Sequence, residues 1–172
     1  MAIGASSACF YPMETKESLA KIIAQEKEVE LEHFHQGDMK KLALYLMQKA
    51  DESTTPLTVR ITKGKQIMFH YVANDNSLDK DNWVRRKINS AMNFHHSSLW
   101  LHYKTNGDAN QLMLKYGLSM EDYTVSGGAV PIIVKGVGVI GAIAISGYSG
   151  LWEDHDMGME ALQFLKGEQH EE

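Results

Sequence analysis

Cysteine is almost absent from the 172-residue chain: Cys9 stands alone. An intrachain disulfide framework and every cysteine-rich metal site are therefore excluded. Proline is scarce too, with only Pro12, Pro56 and Pro131, and no proline-rich linker separates two domains. Basic residues do not prevail: 17 Lys+Arg face 22 Asp+Glu, a net charge of −5. A general nucleic-acid binder would carry a basic face, so that class falls away. The strongest apolar stretch, Val137 to Ile145, is interrupted by glycine and is far too short to span a bilayer. No basic segment precedes an apolar stretch at the N-terminus, so no signal peptide is expected, and a cytoplasmic location is. Repeats and low-complexity tracts are missing as well.

What remains is ordinary globular composition. A chain of this length can bury roughly 70% of its unfolded surface. One domain over residues 16–172 is expected, preceded by an irregular arm over 1–15 that shows no periodicity.

Apolar positions Leu19, Ile22 and Ile23 predict a helix from Lys16 to Lys27 with Thr15 as its cap. Val29 to Phe34 alternates with period two and reads as a strand. Asp38 suits the start of a helix reaching about Lys49, with Leu42, Leu46 and Met47 inward. Leu57, Val59 and Ile61, a turn at Lys63-Gly64-Lys65, and Ile67, Phe69 and Tyr71 predict a hairpin with one apolar face. A helix over about Lys80 to His96 aligns Val84, Ile88, Ala91 and His95, with Asp81 placed to pair with Arg85. Short helices follow near Leu99–Tyr103 and Leu112–Tyr116. Ile132–Val134 and Val139–Ile145 form a second hairpin, its last strand apolar enough to be buried on both faces. Glu153 to Leu165 closes the chain as a helix with Met157, Ala161, Leu162 and Leu165 inward. Two hairpins joined by helices give an α+β domain, and the early segment makes the strand count five.

Several residues invite chemistry. Gly127-Gly128 before Pro131 could bring backbone N–H groups close to an anion, or form a tight turn that Pro131 fixes at a strand start. Arg85-Arg86-Lys87 could hold a carboxylate, phosphate or propionate, or make structural and interface ion pairs. Successive helical residues point roughly 100° apart, so both arginines cannot face one pocket. His95-His96 offers imidazole for ligation, but His95 continues an apolar face and His96-Ser97-Ser98 could cap the next helix. His33 and His35 share one side of the expected strand, without a third metal ligand in view. Asp154-His155 resembles an acid/base pair or an acidic helix start. Cys9 has no base nearby in sequence to activate it.

Met68-Phe69-His70-Tyr71, Asp81-Asn82-Trp83-Val84-Arg85-Arg86-Lys87, His96-Ser97-Ser98, Tyr116-Gly117-Leu118, Asp122-Tyr123, Gly127-Gly128-Ala129-Val130-Pro131, Val134 to Gly141, Ser146-Gly147 and Glu153-Asp154-His155 stand in succession. Together they resemble the haem-degrading-domain family (HbpS/GlcG-like, PduO C-terminal-like), in its branch labelled an uncharacterised protein family. The match runs from about Glu17 to Leu165. The resemblance implies a profilin-like three-layer α/β/α domain with a five-stranded antiparallel sheet. It implies a homo-oligomer and, more loosely, a link to haem or another small ligand. Ligand contacts would fall to Gly127, Gly128, Pro131, Arg85, Arg86, His96, Ser146, Gly147 and His155, and no metal site is expected. Two departures flank that cleft. Ser126 stands where the branch carries histidine, and Tyr148 to Trp152 replaces its proline- and acid-containing turn.

Three functions compete at this point. One is a homo-oligomer binding haem or a small carboxylated metabolite. Another is an interaction scaffold without small-molecule chemistry, since no catalytic constellation is complete. The third is an enzyme on a small anionic metabolite. Trp83, Trp100, Trp152 and the methionines are the motive for oligomerisation.

Overall fold

A computed structural model describes residues 13–171. Cys9 and nearly all of the arm expected over 1–15 lie outside the described residues. The elements run α1 (Met13–Glu28), α2 (Gln36–Glu52), β1 (Thr58–Lys63), β2 (Gln66–Val72), α3 (Asp79–Phe94), α4 (Ser98–Lys104), α5 (Asn110–Tyr116), β3 (Ala129–Val134), β4 (Gly138–Ser146) and α6 (Glu153–Glu171). Helix α1 thus starts at Met13, and Thr15 lies inside it rather than at its cap. Its Ile22 is buried, whereas Ile23 is 48% exposed.

Two antiparallel hairpins join through β1 and β4 into one sheet of order β2-β1-β4-β3. Alternation decides what each face carries. Val59, Ile61, Val130, Ile132, Ile143 and Ile145 meet Leu42 and Leu46 of α2 and Leu162 and Leu165 of α6 in the main core. The opposite face presents Ala129, Ala142 and Ala144 to Val84, Ile88 and Ala91 of α3. β4 is buried on both sides from Gly141 to Ser146, as its run of apolar residues requires.

The sheet has four strands, not the expected five. Leu31 makes an isolated parallel bridge to Val134, with its N–H on the Ile133 carbonyl and its own carbonyl accepting from the Lys135 amide. The ladder cannot grow in either direction. The Val29 amide is already bonded to Gln25 at the end of α1, and the Val137 amide closes the β3–β4 turn on Val134.

The first hairpin also departs from simple alternation. Ile61 pairs with Phe69, but Thr62 pairs with Ile67, so the register shifts at Met68. This bulge turns Ile67 to the face opposite Phe69 and Tyr71. Ile67 is therefore 53% exposed beside α3 instead of joining the main core.

Helix ends correct two further expectations. Asp38 lies in the first turn of α2 rather than before it, and its carboxylate accepts from the His35 amide at 2.7 Å. α3 stops at Phe94, because His95 takes a left-handed conformation (φ 57°). The chain turns there and leaves His95 exposed. Ser97 then caps α4, its hydroxyl accepting from the Trp100 amide at 3.2 Å.

Candidate functional site

Three consecutive basic side chains on α3 go three different ways. Arg85 turns outward to the Asp122 carboxylate at 2.7 Å and the Glu121 carbonyl at 2.8 Å. The helical pair expected with Asp81 does not form; Asp81 instead meets His70 at 3.1 Å. Arg86 donates to the Tyr123 carbonyl at 3.2 Å and lies 4.8 Å over the Trp83 ring. Lys87 turns inward and is 3% exposed. Its ammonium donates to Asp154 Oδ2 at 2.7 Å and to the Ile145 carbonyl at 2.8 Å. The small alanines of the sheet leave room for this reach. Burial pushes Lys87 down and Asp154 up, each towards its neutral form, while their mutual attraction opposes both shifts. The Tyr148 amide donates to the other carboxylate oxygen at 3.2 Å.

Gly128 belongs to this cluster. Its φ is +124°, and a Cβ there would come 2.7 Å from Lys87 Nζ and 2.6 Å from the Ile145 carbonyl oxygen. Only glycine fits. The space that the sequence suggested for a guest at Gly128 is taken by the protein's own ion pair. Gly127, one residue earlier, borders a cavity of about 370 Å³ that has Lys87 and Asp154 among its walls. Ser146 lines it at the end of β4, Trp83 and Lys80 line it on α3, and His102 enters from α4. Burial lowers the pKa of His102.

Of the residues expected to bind a ligand, Gly127 and Ser146 reach this cavity and Gly128 underlies it. Arg85 lines a different and larger cavity of about 710 Å³ between α3 and the β1–β2 hairpin. Arg86, Pro131, His96, Gly147 and His155 line neither. Pro131 is buried in β3 opposite Ala142. Gly147 sits against Pro56 and Leu57. The His96 ring is held by Glu26 at 2.6 Å and stacks on Trp100. His155 is fully buried, meets Gln25 at 3.1 Å, and diverges from Asp154, so the two form no acid/base pair. His33 and His35 stack on each other, and His33 contacts Asp38 at 2.9 Å. Among the described residues, no group of three or more His, Cys, Asp or Glu side chains could hold a metal ion.

A family model described as "Haem degrading protein HbpS-like" matches residues 34–163. The chain belongs to the HbpS-like family. A UPF0303 protein of Lactiplantibacillus plantarum is 32% identical over 149 residues, covering 87% of this chain and 96% of that protein. The solved structure of the Ybr137w protein has a TM-score of 0.80 at 26% identity, covering 90% and 92% of the two chains. The PduOC–haem complex, at 17% identity and a TM-score of 0.63 over 76% and 93%, shares the fold.

Within this HbpS-like domain, the two departures noted in the sequence meet at one place. Ser126 and the Tyr148–Leu151 turn line the smaller cavity. Sequence reasoning named Lys87 only together with its two arginines and missed its link to Asp154. A signal was present: Lys87 stands three residues after Val84 and four before Ala91, a charge on the apolar stripe. A lysine there requires a buried partner. Sequence alone could not say that the partner stands 67 positions later.

Proposed function

We propose that this HbpS-like protein binds a small polar carboxylated metabolite in the cavity beside Lys87. The supporting observation is the ammonium of Lys87, held by two acceptors and bordering that space. An ammonium has three donors, so one is left after Asp154 and the Ile145 carbonyl. Lys80 adds a second cation to the lining. Gly127 lets backbone come close, and Ser126 and Ser146 supply hydroxyls. About 370 Å³ lies at the small end of ligand pockets. Haem, which the PduOC neighbour holds, is less well served: His96 is occupied by Glu26, and His155 is closed off. His102 is the histidine that lines this cavity.

A thermal-shift screen with glycolate, pyruvate, tartrate and citrate tests the proposal. A true ligand at 100 times its Kd should add about 2.7 kcal/mol of stability. Ser126→Trp should fill the cavity and abolish the response without touching the ion pair. No response from any of the four, or an unchanged response in Ser126→Trp, overturns the reading. Haemin titration should give no saturable Soret shift; a stoichiometric shift lost in His102→Ala would transfer the site to haem.

We also infer a homo-oligomer acting in the cytoplasm. Among the described residues, no helix is long and apolar enough to cross a membrane. The three tryptophans no longer support oligomerisation, because each is engaged within the protomer. Leu44 (62%) on α2, Leu78 (82%) before α3 and Leu114 (77%) on α5 are the exposed apolar side chains offered to a second copy instead. Light scattering should return a multiple of 19.3 kDa; a monomer mass would refute it.

A further inference from the structure

The larger cavity is built by a different set of residues and has a different chemistry. Arg60 lies mid-strand in β1, between His70 of β2 and Ala144 of β4, on the sheet face that meets α3. Arginine at the centre of a sheet is rare unless paired. Its side chain is only 11% exposed. Its Nε donates to His70 at 3.2 Å. The nearest carboxylate oxygen, on Asp81, stands 3.9 Å from Nη2, too far for a hydrogen bond. The two terminal nitrogens of the fork therefore have no acceptor among the described residues.

Helix α3 faces this arginine with Arg85, Ile88, Asn89, Met92 and Asn93, the spacing of one helical stripe. Burial disfavours the charge on Arg60 and Arg85 adds to this, while the nearby Asp81 carboxylate opposes both. Lys65, from the hairpin turn, is a third cation at the rim. The carboxylate in the lining is Asp122, and Arg85 already engages it at 2.7 Å. Three cations thus face two engaged carboxylates, Asp122 held by Arg85 and Asp81 held by His70 at 3.1 Å, in a protein whose net charge is −5. Opposite them the wall is apolar. The bulge at Met68 brings Ile67 here, beside Ile88 and Met92. A volume of about 710 Å³ suits a ligand with a sizeable apolar body.

We propose that this groove is a second binding site, for an amphipathic carboxylate whose oxygens meet the open fork of Arg60 and whose apolar body lies on Ile67, Ile88 and Met92. Arg85, fixed by Asp122 and Asn82, contributes charge at a distance, and Asn93 offers an amide at the far end. A planar fork matches a carboxylate in two parallel hydrogen bonds, which a lone lysine could not do. The site shares no lining residue with the cavity beside Lys87, so the two readings stand or fall separately.

Isothermal titration with octanoate, and with octanamide as its uncharged counterpart, tests this on the full chain. Octanoate should bind saturably, and octanamide should bind at least tenfold more weakly. Arg60→Met should weaken octanoate at least tenfold. Ile67→Asp, at an already exposed position, should do the same by placing a like charge on the apolar wall, and it guards against misfolding of the first variant. Ser126→Trp should leave octanoate binding unchanged. The proposal is overturned by no saturable octanoate binding, by equal binding of octanamide, or by Arg60→Met and Ile67→Asp variants that fold and bind as the parent does. Loss of octanoate binding in Ser126→Trp would place the carboxylate in the other cavity and would equally defeat it.

Discussion

Lys87→Met is expected to cost about 3–5 kcal/mol of folding stability, the usual penalty for stranding one member of a buried ion pair. Methionine reproduces much of the side-chain volume, so lost packing is a minor part. The damage comes from Asp154, which is 4% exposed and would keep a charge with only backbone amides to face it. Its escape is protonation, which burial already favours, so the loss should shrink in acid. A domain of this kind holds about 5–15 kcal/mol in all, and the variant should melt roughly 10 °C or more below the parent. Lys87→Met combined with Asp154→Leu removes both charges and should recover most of the stability, because an apolar pair of similar volume is often as good as a buried salt bridge. Urea unfolding of both singles and the double gives the coupling directly. A Lys87→Met variant within 1 kcal/mol of the parent would show that the pair is not needed for folding.

The second large effect is a dependence on acid that belongs to His155. Its ring is fully buried. Nε2 faces the Gln25 side-chain oxygen at 3.1 Å, so Nε2 carries the hydrogen and Nδ1 is a bare acceptor without a partner among the described residues. Protonation would put an N–H on Nδ1 with no acceptor among the described residues to receive it. Burial, and then the charge of Lys21, lower the pKa from 6.5 to about 4. The sign follows from linkage. Above pH 6.5 neither folded nor unfolded chain carries the proton, and stability is unaffected. Between 6.5 and 4 the unfolded chain takes a proton that the folded chain refuses, so stability falls as pH falls. The full difference is about 3 kcal/mol. His155→Phe keeps a ring edge-on to Trp152, now 5.6 Å away between centroids, and cannot titrate. The parent should therefore lose about 3 kcal/mol relative to this variant between pH 7 and pH 4. The charge of Lys21 and the half-buried Asp156 are present in both proteins and largely cancel in the comparison. Urea midpoints at pH 7, 5.5 and 4 measure it, and parallel profiles for the two proteins would contradict the assignment.

Neither residue stood out for these roles in the sequence. Lys87 was legible as a charge on an apolar helical stripe, yet it was read with the adjacent arginines as an anion-holding run and not as half of a buried pair. Asp154 looked like an acidic helix start, which any first turn can carry. The Gly127-Gly128 pair lies beside the smaller cavity for a mixed reason: Gly127 borders open space, whereas Gly128 is glycine because Lys87 and Asp154 crowd it. The expectation of one cleft holding both Arg85 and the glycines failed, because α3 separates them into two cavities.

The sequence by itself determined the parts whose signal is local. Alternation and apolar periodicity located both hairpins, the doubly buried β4 and the inward face of α6, since each depends only on residues within one element. Tertiary structure decided the rest. A single β-bulge moved Ile67 to the other face, competing hydrogen bonds reduced the early strand to one bridge at Leu31, and sheet order brought Lys87 to Asp154. Those outcomes depend on which distant backbone groups compete for the same partners, and no window along the chain contains that competition.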